Sequence, residues 1–309
     1  MKKTVFLFPG QGSQEVGMAR DLFSDDPRFA ELVKHASQIT GEDLTHVCLK
    51  GPEKKMINPR FLQPLIVAVS LGYLRHITEK NIKADFVIGH SLGEITALAA
   101  AGVVDNNQAI AIAAKRGELM NQAAALCNGG MMAVLSLPLE KIQESIHALK
   151  LNDKIFIANI NAADQTVVSG DQSSFDHFKA QIVRAGGRCK KLSVAGPWHS
   201  PYLKQAGEKF STWVEATDFN TAHTPIILNV SGEPHTDPSV IKQAIIASLT
   251  QPVQFRQCMD YCKFQQIDSF LEIGPGRVLA GLTRANGFLN EVNVYTVNSL
   301  PGVDRVASG

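Results

Sequence analysis

The chain has 309 residues, of which 45% are hydrophobic and 19% charged; it exceeds the usual span of one compact core but is otherwise ordinary for a globular protein. Thirty basic against twenty-nine acidic side chains give a formal charge of +1, so the electrostatic case for nucleic acid or a membrane surface is missing and neither partner is expected. The five cysteines (Cys48, Cys127, Cys189, Cys258, Cys262) lack paired CxxC spacing, which speaks against a zinc site and for a reduced, cytoplasmic protein without a metal.

Lys2-Lys3 precede an apolar run, but Pro9-Gly10 stops it before the roughly seven residues that a signal-peptide core needs. Thr4 to Phe8 therefore reads as a first buried strand. A helix is predicted over Leu62 to Lys80, a strand over Phe86 to Ile88, and then helix again. The longest apolar tract, Ile95 to Ala114, is broken by Asp105, Asn106, Asn107 and Gln108, so it cannot cross a bilayer as one helix and reads as two packed ones. This alternation predicts a parallel sheet covered by helices.

Past the turn-rich Cys127-Asn128-Gly129-Gly130 the rhythm changes. Met132 to Leu135, Leu139 to Ala148, Ile155 to Asn159, Thr166 to Ser169, Ser173 to Ala185 and Arg188 to Leu192 read as strand, helix, strand, strand, helix, strand, the order of a split βαβ unit. Ala195-Gly196-Pro197 closes it. The α/β rhythm then resumes with a strand over Pro225 to Val230, a helix near Pro238 to Leu249, and strands over Ser269 to Ile273 and Val292 to Val297. The tail, Val303 to Gly309, reads as a fraying end. The expected fold is α/β: a large, discontinuous α/β-hydrolase-like subdomain with a parallel sheet (1–128 and 197–309), and an inserted small ferredoxin-like subdomain (129–196).

Chemistry concentrates at Gly89-His90-Ser91-Leu92-Gly93, directly after an apolar strand and before a helix. A serine at the apex of such a turn is held out of the sheet in a strained backbone geometry that flanking glycines permit, and the helix N-terminus favours an anion beside it. Ser91 is thus a candidate nucleophile, one that needs a base and donors for an oxyanion.

Of the nine histidines, His35, His46, His76, His147 and His177 fall in polar helical stretches, where solvated positions are the simpler account. His199 lies in a loop stiffened by Gly196, Pro197 and Pro201; it reads equally as a positioned general base or as a cap on the next helix. Gly10-Gln11-Gly12-Ser13-Gln14 follows the first strand and suits either an oxyanion or phosphate loop or an ordinary strand-to-helix turn; it is neither GxGxxG nor a Walker sequence. Arg116, on the second of the paired helices, taken alone reads as a surface charge.

In order along the chain, Phe8-Pro9-Gly10-Gln11-Gly12-Ser13-Gln14, Gly89 to Glu94, Arg116-Gly117, Ala158 to Asn161, His199-Ser200, Gln251-Pro252-Val253 and Glu272 to Gly276 resemble the successive motifs of the malonyl-CoA:acyl carrier protein transacylase family. Several spaced motifs agreeing in order are far more specific than any one. The resemblance implies a serine-histidine dyad of Ser91 and His199, with the backbone carbonyl of Gln251 orienting the imidazole. It implies an oxyanion hole from the backbone N–H groups of Gln11 and Leu92, and Arg116 as partner of the malonyl carboxylate. His90 and Gln63 would stand behind these groups. The implied reaction is ping-pong transfer of malonyl from malonyl-CoA, through Ser91, to the phosphopantetheine thiol of acyl carrier protein. No cofactor is implied, and monomer is the default.

Trp198 stands before the histidine where relatives commonly carry smaller residues or phenylalanine. Its bulk would narrow the acyl pocket in favour of malonyl over α-substituted malonyl units, or it is a packed core aromatic. Arg184, Arg188, Lys190 and Lys191 suit either an acidic carrier protein or a solvated charged face. An acyl hydrolase on the same scaffold would share Ser91 and His199, but a carboxylate-binding arginine has no purpose in removing acetyl groups. A carrier-docking subunit without catalysis would be expected to lack one of the pair.

Overall fold

The computed structural model describes residues 2–289 and 292–308. β1 (Thr4–Phe8) and β2 (Phe86–Gly89) lie parallel, Val5 to Phe8 opposite Phe86 to Gly89. The chain then leaves this sheet for β3 (Gly129–Leu135), β4 (Ile155–Ala162), β5 (Gln165–Asp171) and β6 (Arg188–Lys191). It returns with β7 (Ile226–Ile227), β8 (Pro234–His235), β9 (Ser269–Ile273) and β10 (Asn293–Val297). The large sheet has the order β10-β9-β1-β2-β7-β8 and is parallel except for β8.

Both faces of this sheet are covered, which is why its strands read as unbroken apolar runs. Along β1, Phe6 and Phe8 enter one core with the long helix Pro59–Glu79, while Val5 and Leu7 enter a second with Phe255, Met259 and Phe270.

The second sheet is antiparallel with the order β4-β5-β3-β6, and the helices Leu139–Ala148 and Phe175–Arg184 lie on one face. This is the expected ferredoxin-like arrangement. Strand alternation sends Met132 and Val134 toward those helices and Met131 and Ala133 to the other face, where they join Met120, Ala158 and Trp198. Two backbone bonds tie β4 to the large sheet's side of the molecule: Ile160 N–H donates to the Val253 carbonyl (2.8 Å) and Val253 N–H to that of Ala158 (2.9 Å).

Three elements differ from the expectation. The strand over Pro225 to Val230 shrinks to two residues, because Leu228 to Gly232 turn back toward β8. His76 is not freely solvated but meets the buried carboxylate of Asp26 at 3.0 Å. The tail does not fray: Leu300–Ser308 is a helix, started by Asp21, which accepts from Leu300 N–H at 2.6 Å, and held by Val303, which is buried. That anchor is remote in sequence, so local polarity could not reveal it; Gly309 lies outside the described residues.

Candidate active site

The elbow forms because β2 ends at Gly89 and the helix Gly93–Ala100 begins four residues later. A β-carbon at Gly89 would overlap the Gly93 backbone, and one at Gly93 the Phe8 carbonyl, so neither position accepts a side chain. Ser91 sits at the apex with φ 52°, a left-handed conformation that a non-glycine residue adopts only when its surroundings hold it. The pairing of Phe8 with Gly89 places the Gly10 loop against the elbow. Neither Gln11 nor Leu92 N–H has a backbone acceptor among the described residues.

His199, 108 residues further on, lies with Nε2 2.7 Å from Ser91 Oγ. Its Nδ1 faces two carbonyl oxygens, Ser248 at 2.8 Å and Gln251 at 3.2 Å. Because a carbonyl only accepts, Nδ1 carries the proton and Nε2 presents its lone pair to the serine hydroxyl. Burial, then the neighbouring Arg116 charge, hold the imidazole's pKa at about 3, while the two carbonyls act in the opposite sense. The ring is therefore neutral at physiological pH and free to accept a proton. His199 does not cap a helix; Ser200 begins the next turn, its hydroxyl donating to the Pro197 carbonyl at 2.6 Å.

Arg116 is not the surface charge its local sequence suggests, since only 1% of it is exposed. Gly117 next to it lets the helix Asn106–Ala124 press on the start of Pro59–Glu79; a β-carbon there would overlap the Pro59 carbonyl. Arg116 Nη2 consequently donates to Ser91 Oγ at 3.1 Å and Nη1 to Gln63 Oε1 at 3.0 Å. Gln63 in turn donates to Gln11 Oε1 at 3.1 Å. Burial lowers the guanidinium's pKa to about 10, opposed by Glu94, which leaves it charged near neutrality and without a carboxylate in hydrogen-bond contact among the described residues.

His90, its pKa lowered by burial, shares a 2.8 Å hydrogen bond with Asn161 Oδ1 on β4 and so links the elbow to the small sheet. A cavity of about 550 Å³ opens over Ser91 and His199, walled by Gln11, Asn161, Leu192, Trp198 and Leu279. Trp198 is 4% exposed, packs with Met120 and Leu203, and lines this cavity. Lys190 and Lys191 line it, while Arg188 is exposed at the start of the same strand and Arg184 at the end of the preceding helix.

Four participants escaped the sequence. Ser248 acts through a carbonyl, which leaves no signature. Asn161 lies inside a quoted motif but carried no role there. Glu94 closes the serine motif, yet its carboxyl is buried, raised to about pKa 8, and turned to Asn229. Asn229 contacts Ser91 across 138 residues, a separation no local pattern spans. Glu272, in the last motif, is structural: its two carboxylate oxygens accept from Leu279 and Ala280 N–H at 2.9 and 2.8 Å, starting the helix Val278–Ala285.

Residues 5–299 match the family described as the acyl transferase domain. The chain is 36% identical over 305 residues to the malonyl CoA-acyl carrier protein transacylase of Staphylococcus aureus, covering 98% of each. It is 33% identical over 287 residues to that of Bacillus subtilis, covering 92% of this chain and 90% of the relative. Among solved structures, it resembles the malonyl-transacylase complex with a type II polyketide synthase acyl-carrier protein at TM-score 0.93 and 30% identity, over 99% of both chains. An acyl carrier protein S-malonyltransferase from Vibrio cholerae gives 0.91 at 32% identity, over 98% of this chain and 99% of the other.

Proposed function

The chain belongs to the acyl transferase domain family, and from that membership we propose that it carries a malonyl group from malonyl-CoA to the phosphopantetheine thiol of acyl carrier protein, with Ser91 as the way station. The observation that carries this is the 2.7 Å contact between Ser91 Oγ and the neutral imidazole of His199, made beside a buried guanidinium that has no carboxylate in hydrogen-bond contact among the described residues.

In the first half-reaction Ser91 Oγ attacks the thioester carbonyl as its proton passes to His199 Nε2. The tetrahedral oxyanion is received by Gln11 and Leu92 N–H, and its collapse expels the CoA thiolate, which takes the proton from the imidazolium. The second half-reaction runs this sequence in reverse, with the carrier's thiol as nucleophile. Ser248 and Gln251 carbonyls keep the imidazole in the required tautomer, so no third acid is needed. Arg116 pairs with the malonyl carboxylate through its planar fork. Gln63 and His90 hold Arg116 and the elbow in place, and Trp198 restricts the acyl pocket to unsubstituted malonyl.

Residues 129–196 form the small subdomain and 1–128 with 197–309 the large one; the cleft between them keeps water from the acyl-serine until a thiol arrives. The chain works as a cytoplasmic monomer, and no described helix is long and apolar enough to cross a membrane. Hydrolysis on the same scaffold is not supported: the named relatives are transacylases, and a simple-acyl hydrolase has no use for Arg116.

Incubation with radiolabelled malonyl-, acetyl- and methylmalonyl-CoA, wild type beside Ser91→Ala, followed by trapping of the acyl-enzyme, tests this. Label from malonyl-CoA alone, absent in the variant, is expected. A preference for acetyl, or label retained by Ser91→Ala, overturns it.

A further inference from the structure

The elbow's strain is borne by a residue that the transfer chemistry does not use. Asn229 follows β7, is 1% exposed, and spreads its side-chain amide across the turn: Nδ2 donates to the Gly89 carbonyl at 2.6 Å and Oδ1 accepts from Ser91 N–H at 2.7 Å. One amide thus grips both the residue that ends the strand and the strained residue itself. Asn229 is fixed in turn from two sides, its N–H donating to Glu94 Oε1 at 2.7 Å and its carbonyl accepting from Gln254 N–H at 2.8 Å.

The Glu94 anchor is unusual. It belongs to the helix that the elbow starts, its carboxyl is buried, and Oε2 has no partner among the described residues. A buried carboxyl is tolerated most readily when neutral, and a neutral Glu94 still accepts from Asn229 through Oε1. Gln254 belongs to the segment that also carries the Gln251 carbonyl on His199 and the Val253 bonds to β4. Nucleophile, imidazole and small sheet therefore converge on Asn229 through its hydrogen bonds to Ser91 and Gln254 and the short segment from Gln251 to Gln254.

We propose that Asn229 is a positioning residue for the reaction, a brace that holds Ser91 in its left-handed conformation and so aims Oγ at His199 and Leu92 N–H at the oxyanion. This rests on Ser91 being the nucleophile. Without the brace, Ser91 N–H and the Gly89 carbonyl lose their partners, and the left-handed serine, strained where nothing holds it, relaxes. Misplacement of a reacting atom by about 1 Å lowers rate by on the order of 10²-fold, and this loss falls on acylation rather than on thioester binding.

The test measures pre-steady-state acylation of Ser91 by malonyl-CoA, and its phosphonylation by a fluorophosphonate, in wild type, Asn229→Ala and Asn229→Asp, with thermal denaturation alongside. The fluorophosphonate carries no carboxylate and reports nucleophile geometry without Arg116. Asn229→Ala is expected to slow both reactions by about 10²-fold with KM for malonyl-CoA changed little, in protein shown to be folded.

Asn229→Asp keeps the shape and replaces Nδ2 by an oxygen that donates to Gly89 only while protonated. Its neighbour Glu94, on the elbow helix, in turn lies within charge range of Arg116 and of Cys258 on the helix Phe255–Phe264. Its acylation rate should fall as pH rises through the new carboxyl's titration, a limb absent from wild type; this readout remains if Asn229→Ala does not fold. Wild-type rates in folded Asn229→Ala, or a pH profile for Asn229→Asp parallel to wild type, overturn the brace while leaving Ser91 as nucleophile. Failure of wild type to acylate at Ser91 overturns that assignment and the brace together.

Discussion

Arg116→Ala separates malonyl recognition from acyl transfer. Arg116 is 1% exposed and, among the described residues, its guanidinium hydrogen-bonds to Gln63 and Ser91, so a malonyl carboxylate reaching it forms a charge pair largely shielded from water. Truncating one partner of such a pair costs about 2–5 kcal/mol, chiefly because the other charge is left buried and unpaired. With about 1.4 kcal/mol per decade, kcat/KM for malonyl-CoA should fall by roughly 30- to 4,000-fold. Acetyl transfer forfeits no carboxylate pair; of the two hydrogen bonds lost, to Gln63 and to Ser91 Oγ, the one on the nucleophile is worth about 1–2 kcal/mol, so its loss should stay near tenfold. Arg116→Lys keeps the charge but not the fork and should fall between the two. The assay is transfer of labelled acyl group to carrier protein from each thioester, with a melting curve for each variant to exclude misfolding. Equal losses for malonyl and acetyl would refute the assigned role.

The His199 imidazole, held near pKa 3, should leave the acylation rate without a histidine limb between pH 5 and 8. Stability should respond as well: the unfolded chain takes up a proton below its ordinary value near 6.5 while the native ring refuses it, so stability falls with pH through that window. Wild type should lose about 2 kcal/mol relative to His199→Ala between pH 6.5 and 5 in denaturant titrations; parallel losses would contradict the burial effect. Gly117→Ala pushes a β-carbon into the Pro59 carbonyl and should cost about 1–3 kcal/mol by overpacking, seen as a lower Tm. It should also depress malonyl transfer more than acetyl transfer, and an unshifted ratio would detach Arg116 from that helix contact. Trp198→Ala opens the cavity wall and should raise methylmalonyl-CoA relative to malonyl-CoA by about tenfold, the scale of one buried methyl group. An unchanged ratio in competition assays would make the indole a packing residue only.

Local sequence determined a good deal of this protein, because local forces suffice for it. The apolar run of β1, the glycines that only an elbow requires, the polar break at Asp105 and the strand-helix order of the small sheet are each written within a few residues. The ordered motifs carried the family, and with it Ser91, His199, Gln11, Leu92, Gln63 and Arg116 as candidates. Tertiary structure alone decided what those residues do to one another. Arg116 is a buried cation rather than a surface charge because Gly117 packs two helices closely enough to enclose it. The imidazole's proton sits on Nδ1 because a second carbonyl, Ser248, arrives from a separate helix end. Asn229 meets Ser91 and Glu94, and Asp21 anchors the terminal helix, only after folding has brought together segments more than a hundred residues apart. Hydrogen bonds and desolvation act over a few ångströms of space whatever the distance along the chain, so no window of sequence contains them.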